Sequence, residues 1–221
     1  MRPPLLTWTM IVAAMIATLG PSARAEPAPP APAPSVPALR AYRIEGFRSA
    51  RFGMDLKAVR AAAAQDFNIE PAGMLVREHA QEQTVSLQAG VMRLNPGPGP
   101  AIVTYVFDAR SRRLIRINVA WVTAPRPNDL QRQAMMNAGL RLQRYFHDLP
   151  NPPAEANDGG VMDSGALALY RARDAEGAEV AVTVSGVKFD RIKDGKATPS
   201  APPQGAAVLS VIYVPSPQPG A

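Results

Sequence analysis

The 221-residue sequence contains no cysteine and only two histidines, and these shortages exclude several kinds of site. Without thiols the chain forms neither disulfides nor thiolate metal centres, and it offers no cysteine nucleophile and no cysteine for lipid attachment. The histidines, His79 and His147, are isolated and lack the spacing of a metal-binding set. We therefore expect no metal, no cofactor and a fold that is held together by its hydrophobic core alone.

The motifs of the common enzyme classes are also missing. The chain has no G-x-S-x-G nucleophile motif, no phosphate-binding P-loop and no dinucleotide fingerprint. Asp158 and Asp163 flank glycines, but their spacing does not match a calcium-binding loop and is typical of a turn. The sequence thus favours a non-enzymatic protein. The alternative is a hydrolase that uses acids and arginines outside any recognised motif.

Residues 1–25 have the three parts of a cleavable signal peptide. Arg2 supplies the positive start, and Leu5 to Leu19 form an apolar stretch of about fifteen residues, shorter than a typical membrane span. Ala23-Arg24-Ala25 then fits the small-x-small rule for signal peptidase. We predict export to the periplasm, cleavage after Ala25 and no transmembrane span in the mature chain. The alternative interpretation is an uncleaved N-terminal anchor.

The segment that follows, residues 26–38, is rich in proline and alanine and is predicted to be an extended tether. It is interpreted as a spacer, with a proline-rich ligand for a partner as the alternative. The formal charge falls from +6 to +4 on cleavage, because two arginines and no acid leave with the signal. Since the protein is expected outside the cytoplasm, the remaining basic charge does not indicate a nucleic-acid partner.

Two helices are predicted from apolar stripes with a period near 3.6 residues. The first spans 56–66, with Asp55 as its N-cap, and the second spans 130–149. Within the second stripe, Gly139 lowers helix stability, and we expect it to allow a close approach to the sheet.

Strands are predicted where apolar and polar residues alternate between turn signals. In the central hairpin, residues 101–123, the apolar face is expected to hold Ile115, Ile117, Val119 and Trp121. Residues 157–165 and 193–205 are expected to be loops. The other predicted strands span 39–47, 74–77, 84–94, 166–172, 179–189 and 208–214.

These elements predict an α+β fold in which an antiparallel sheet is packed on one side by two helices. One domain is expected over 39–214, and residues 215–221 are expected to be a disordered tail. The order helix, strand, strand, strand occurs twice, which suggests pseudo-repeated αβββ halves at 52–123 and 128–214. The segments DARSRRLIRINV and DAEGAEVAVTVS align on Asp108 and Asp174, but the parity of their apolar positions differs by one residue.

The strongest candidate for a binding site is a group of arginines at the central hairpin. Arg110, Arg112 and Arg113 lie in its turn, and Arg116 lies on the wetter strand face beside Asn118 and Thr104. Guanidinium groups bind carboxylate and phosphate bidentately, so an anionic partner is expected: an envelope protein, a lipid head group or a cell-wall polymer. The alternative is an ordinary solvated turn that keeps the sheet soluble.

Three segments between Phe52 and Trp121 resemble a family of exported proteobacterial proteins without an assigned activity. They are FGMDLKAVRAAAAQDF, TVSLQAGVMRLNPGPGPAIVTYVF and RRLIRINVAW. FGM followed by a helix is also weakly similar to the start of envelope assembly proteins of the BamE type. The resemblance implies an exported protein and a fold type, and no activity. We therefore expect a non-enzymatic binding or envelope-maintenance module in the periplasm, with a periplasmic hydrolase as the alternative.

Overall fold

The computed structural model places both helices on one face of an eight-stranded antiparallel sheet. The predicted signal peptide and tether, and the last residues of the predicted tail, lie outside the residues that the structure describes. No helix in the described part of the chain has the length and apolar character needed to cross a membrane. The structure describes residues 42–150, 152–153, 155–162, 164–193, 196–200 and 202–217.

The described elements comprise two α-helices, one short 3₁₀ turn and twelve strands. The helices are α1 (Leu56–Phe67) and α2 (Asp129–His147), and the 3₁₀ turn spans Pro71–Gly73. The strands are β1 (Gly46–Phe47), β2 (Ala50–Arg51), β3 (Leu75–His79), β4 (Thr84–Val91), β5 (Ala101–Asp108), β6 (Leu114–Val122), β7 (Glu155–Asp158), β8 (Leu167–Arg173), β9 (Glu179–Ser185), β10 (Asp190–Lys193), β11 (Lys196–Pro199) and β12 (Val208–Val214).

The strand order of the large sheet is β3-β4-β5-β6-β12-β9-β8-β7, which confirms the predicted α+β class. Each half of the chain consists of one helix followed by four strands of this sheet. The fourth strands, β6 and β12, pair at the centre of the sheet, with Val119 opposite Val211. The repeating unit is therefore αββββ rather than αβββ, because β3 and β7 each add an edge strand.

Both helices begin at side chains that accept otherwise unpaired backbone N–H groups. Asp55 Oδ1 accepts from the N–H of Ala58 at 2.8 Å, as predicted. Asn128 and Gln131 form a reciprocal capping box at the start of α2. A Cβ on Gly139 would lie 2.4 Å from Leu169 Cδ1, which confirms that this glycine allows α2 to approach the sheet closely.

The central hairpin departs from strict alternation at a β-bulge. Val106 pairs with Arg116 and Phe107 pairs with Leu114, so Ile115 is an extra residue. Leu114 is consequently buried, whereas Ile115 is 37% exposed and does not belong to the core face. The prediction for Ile115 was wrong because the bulge adds one residue to β6. Side chains on its N-terminal side therefore point to the opposite face from the one that strict alternation predicts.

Three other segments differ from the sequence-based expectation. Residues 155–158, which overlap the predicted loop at 157–165, form edge strand β7. Residues 190–193 and 196–199 pair as the β10–β11 hairpin, which overlaps the loop expected at 193–205. Of the predicted strand 39–47, the structure describes residues 42–47, and within these only 46–47 are β-structure. All three are short, exposed or peripheral pairings, which leave little periodicity in the sequence.

Asp108 and Asp174 perform the same local task in two turns that are not equivalent. Each carboxylate accepts backbone N–H groups of its own turn, as aspartate does in Asx-turns. Asp108 lies between β5 and β6, whereas Asp174 lies between β8 and β9. Because β5 corresponds to β9 in the two halves, the sequence alignment on these aspartates reflects shared turn chemistry and does not trace the repeat.

Candidate ligand-binding face

The sheet face opposite the helices combines neutral polar side chains with aliphatic ones. Apolar residues of each strand point to the helices, so the alternate positions point the other way. In the register of the sheet Gln88 is opposite Thr104, and Thr104 is opposite Asn118. Amide and hydroxyl groups therefore form a continuous row across β4, β5 and β6. This row confirms that Asn118 and Thr104 share a strand face with Arg116.

A shallow groove of about 520 Å³ runs along this row. We call it the first groove. Its lining combines hydroxyl, amide and charged groups with three aliphatic side chains. The residues that line it are His79, Glu82, Thr84, Ser86, Gln88, Thr104, Val106, Arg116, Asn118, Ile212 and Val214.

The floor of the first groove contains polar atoms that are enclosed by the protein. Ser86 is 2% exposed, and its Oγ lies 2.9 Å from Nε2 of His79. Oγ1 of Thr84 and Oδ1 of Asn118 are buried and have no hydrogen-bond partner among the described residues. Such atoms are rare in folded proteins, and an unpaired one costs about 1–3 kcal/mol. The groove therefore has unused hydrogen-bonding capacity.

Arg116 supplies the positive charge of the first groove. Its side chain is exposed, and it has no ion-pair partner in the part of the chain that the structure describes. Arg116 follows the bulge in β6, and it is opposite Val106 of β5. This pairing holds Arg116 on the polar face, so its guanidinium is available to a ligand in the groove.

A second groove, of about 440 Å³, lies over β7, β8 and β9 on the same face. Ile212 and Val214 of β12 line both grooves and separate them. The charges of the second groove are partly neutralised, since Arg173 forms an ion pair with Glu179. This hydrogen-bonded partner raises the pKa of Arg173. Arg171 also lines this groove and has no ion-pair partner among the described residues, so each groove has one arginine available to an anion.

Two of the three predicted turn arginines lie beside the first groove. Arg110 and Arg112 line a small depression whose lining also includes His79 and Thr84 of the first groove. Asp108 shapes the turn by accepting from the N–H of Ser111 at 2.7 Å. This hydrogen bond is the main reason that the pKa of Asp108 is lowered. The turn and the groove therefore form one continuous surface.

Arg113, in contrast, is directed toward a different part of the chain. Its Nη1 donates to the carbonyl of Gly53 at 3.2 Å, and its backbone forms a β-bridge with Asp55. Arg112 lies 3.6 Å from a carboxylate oxygen of Glu78, but both side chains are exposed. Exposed pairs of this kind contribute only about 0–1 kcal/mol, so Arg112 can exchange Glu78 for another anion.

The histidines do not converge on a common site. His79 ends β3 and lines the first groove, whereas His147 ends α2, on the opposite face of the sheet. His147 Nε2 lies 2.7 Å from Oδ1 of Asp158, which joins α2 to edge strand β7. Among the described residues no group of three or more potential metal ligands comes together.

Burial raises the pKa of Tyr105, Tyr170 and Tyr213. All three are buried core residues on the helix side of the sheet, away from both grooves.

No protein-family model, curated protein or solved structure matches this chain. The function must therefore be argued from the surface itself. Sequence reasoning identified Arg110, Arg112, Arg116, Asn118 and Thr104. It missed the contributions of β3 and β4, for which the alternation of polar residues at positions 84, 86 and 88 was the available signal.

Proposed function

We propose that this protein is an exported, non-enzymatic binding module of the bacterial envelope that recognises an anionic partner. The observation that carries the proposal is the position of Arg110, Arg112 and Arg116 around one continuous surface formed by the first groove and the adjoining turn. Arginine matches the geometry of carboxylate and phosphate groups. A partner in the envelope is consistent with the predicted signal peptide.

The shape of the surface supports binding rather than hydrolysis. The first groove is an open depression on a sheet face, and its groups are mainly amides and hydroxyls. A hydrolase needs a nucleophile or activated water beside a base and an oxyanion site, in a cleft that limits access of water. The described residues place the two histidines on opposite faces of the sheet, so they cannot serve one such centre together.

Replacing Arg110, Arg112 and Arg113 together by serine is expected to weaken binding to anionic lipid vesicles at least tenfold at low ionic strength. The loss should shrink as salt is added, because surface charges are screened over about 8 Å at physiological ionic strength. The melting temperature should remain nearly unchanged, since exposed charges contribute little to folding. Vesicle co-sedimentation over a salt series measures the first effect, and thermal unfolding measures the second.

A matched control removes three other exposed arginines, Arg126, Arg144 and Arg171, which are distributed over different surfaces. This control has the same net charge as the turn variant. Equal weakening by both variants would show that total charge and not the turn determines binding. Unchanged binding of the turn variant to vesicles and to envelope fractions at low salt would show that the turn is a solvated loop without a role in binding.

Export is expected to remove residues 1–25, so that the mature protein begins at Glu26. The signal peptidase requires small residues at positions 23 and 25, and both are alanine. Intact-mass measurement of the protein from a periplasmic extract tests this directly. An Ala25→Asp variant should accumulate as the uncleaved chain of 23.6 kDa. Recovery of the unchanged protein from membranes with Met1 present would instead favour an N-terminal anchor.

A further inference from the structure

We infer that the first groove binds a hydroxylated carboxylate, that is, a sugar acid in free form or as a unit of an acidic envelope polysaccharide. This inference rests on the proposed function and names the ligand of the same surface. Two features of the groove carry it. One is a single unpaired guanidinium, and the other is a floor of neutral hydrogen-bonding groups with unused capacity.

The guanidinium of Arg116 is suited to one carboxylate. It has five N–H donors in a planar fork, which matches the two oxygens of a carboxylate. No described carboxylate pairs with it. Arg171 of the second groove is likewise unpaired, but no buried oxygen without a partner lies on the described residues that line that groove. Arg116 shares the groove with the carboxylate of Glu82, so the groove suits a ligand with one negative charge better than a polyanion. A polyanionic surface such as a lipid bilayer would instead contact Arg110 and Arg112 of the turn.

The neutral lining is suited to the hydroxyl groups of the same ligand. Thr104, Gln88 and Asn118 offer both donors and acceptors, and a sugar hydroxyl can act as either. Oδ1 of Asn118 and Oγ1 of Thr84 have no partner among the described residues. Both residues line the groove, and a side-chain rotation is needed to bring either enclosed oxygen to a ligand hydroxyl. Pairing these oxygens would remove an energetic penalty that is present in the free protein.

The size and apolar contacts of the groove agree with a sugar ring. A volume of about 520 Å³ lies in the ordinary range for small-molecule sites and accommodates a ligand of one or two sugar units. Val106 is 7% exposed and Ile212 is half-buried, and both lie along the groove to contact the C–H face of a ring. The chemistry therefore combines one charge, several hydroxyls and a small apolar surface.

Titration calorimetry of the mature protein with four probes tests the assignment. D-glucuronate carries the carboxylate and the hydroxyls, glucose has only hydroxyls, and acetate has only the carboxylate. Polyglucuronate presents the same sugar acid in a polymer. We expect glucuronate to bind at least tenfold more tightly than glucose or acetate. Tighter binding of polyglucuronate, per sugar unit, would indicate an envelope polymer, and tighter binding of glucuronate would indicate a free sugar acid.

Substitutions locate the site. Arg116→Gln is expected to lower the affinity for glucuronate at least tenfold, and Asn118→Leu at least threefold. Arg171→Gln is a matched control, since Arg171 lies on the same sheet face in the second groove. It should leave the affinity unchanged. Thermal unfolding of each variant shows whether the fold is preserved, and NMR shifts of the backbone amides of residues 104 and 118 report ligand contact independently.

Equal affinity for glucuronate and acetate would overturn the role of the hydroxyl-binding floor, and an unchanged affinity in Arg116→Gln would overturn the site. Absence of glucuronate binding, together with vesicle binding that depends on Arg110 and Arg112, would refute this inference and leave the proposed function intact. If the protein bound neither glucuronate nor anionic vesicles, the proposed function would be refuted as well.

Discussion

Replacing Asp174 by alanine is expected to lower the free energy of unfolding by about 3 kcal/mol. The carboxylate is 7% exposed and accepts three backbone N–H groups. Its Oδ2 accepts from Ile44 at 2.8 Å, and its Oδ1 accepts from Glu176 at 3.0 Å and Ala178 at 2.9 Å. Alanine would leave these donors unpaired, and that of Ile44 belongs to a buried residue. Urea unfolding monitored by circular dichroism measures the change.

Two variants test whether the loss of these hydrogen bonds, and not the loss of an acidic side chain as such, causes the destabilisation. Asp174→Asn retains one acceptor oxygen and should lose about half as much stability, because the amide nitrogen cannot accept from Ile44. Asp108→Ala removes a similar turn acceptor at a solvent-accessible site, where water can replace it, and should have a much smaller effect. If Asp174→Ala were no more destabilising than Asp108→Ala, Asp174 would not anchor the segment around Ile44 to the β8–β9 turn.

Truncation of Phe146 to alanine is expected to lower the free energy of unfolding by about 4 kcal/mol, the largest effect that we predict for a single substitution. Phe146 is 1% exposed and stacks on Tyr170 with ring centroids 5.2 Å apart. This contact joins the end of α2 to strand β8. Removing the ring would leave a cavity that the closely packed sheet cannot fill. Urea unfolding again provides the measurement, with an unchanged m-value indicating that the native fold persists.

The neighbouring residues provide matched controls for Phe146. Tyr145→Ala removes a ring from the same turn of α2, but Tyr145 is 57% exposed, so the loss should be much smaller. Tyr170→Phe keeps the stacked ring and removes a buried hydroxyl that has no partner among the described residues. It should leave stability unchanged or raise it slightly. If Phe146→Ala and Tyr145→Ala lowered the free energy of unfolding by similar amounts, the contact of Phe146 with β8 would not be what stabilises the packing of α2.

The two classes of prediction concern opposite faces of one sheet. Substitutions on the helix side should change stability, because apolar burial there holds the fold together. Substitutions of Arg116 and the turn arginines should change binding, because these side chains are exposed on the other side or beyond its edge. Unfolding of the domain by Arg116→Gln would contradict this separation of stability and binding between the two faces.

Much of the fold was accessible from local chemistry. The helices were predicted to within about two residues at each end, because their caps and apolar stripes lie in short windows of sequence. Strand β12 was predicted at its observed bounds, 208–214, where six of the seven residues are Val, Leu, Ile or Tyr. The close approach at Gly139 was also predictable, since a glycine within an apolar helical stripe indicates tight packing.

The features that sequence reasoning missed depend on pairing across the sheet. The bulge at Ile115 is invisible locally, since the run of alternating residues continues through it. Strands β7, β10 and β11 are stabilised by backbone hydrogen bonds to a partner strand and carry little apolar alternation of their own. Their existence follows from where the neighbouring strand lies, which a short window of sequence does not contain.

The fold class, the two helices, most of the sheet and the arginine-rich turn could be predicted from the amino-acid sequence, because propensity, capping and hydrophobic periodicity act over a few residues. Which arginines share a surface depends on the folded sheet. The fold brings Arg110, Arg112 and Arg116 to hydroxyls and amides from β4, β5 and β6, and it directs Arg113 toward Gly53. The reason is physical: a side chain's neighbours across a sheet are fixed by strand order and register, which the whole folded chain sets together.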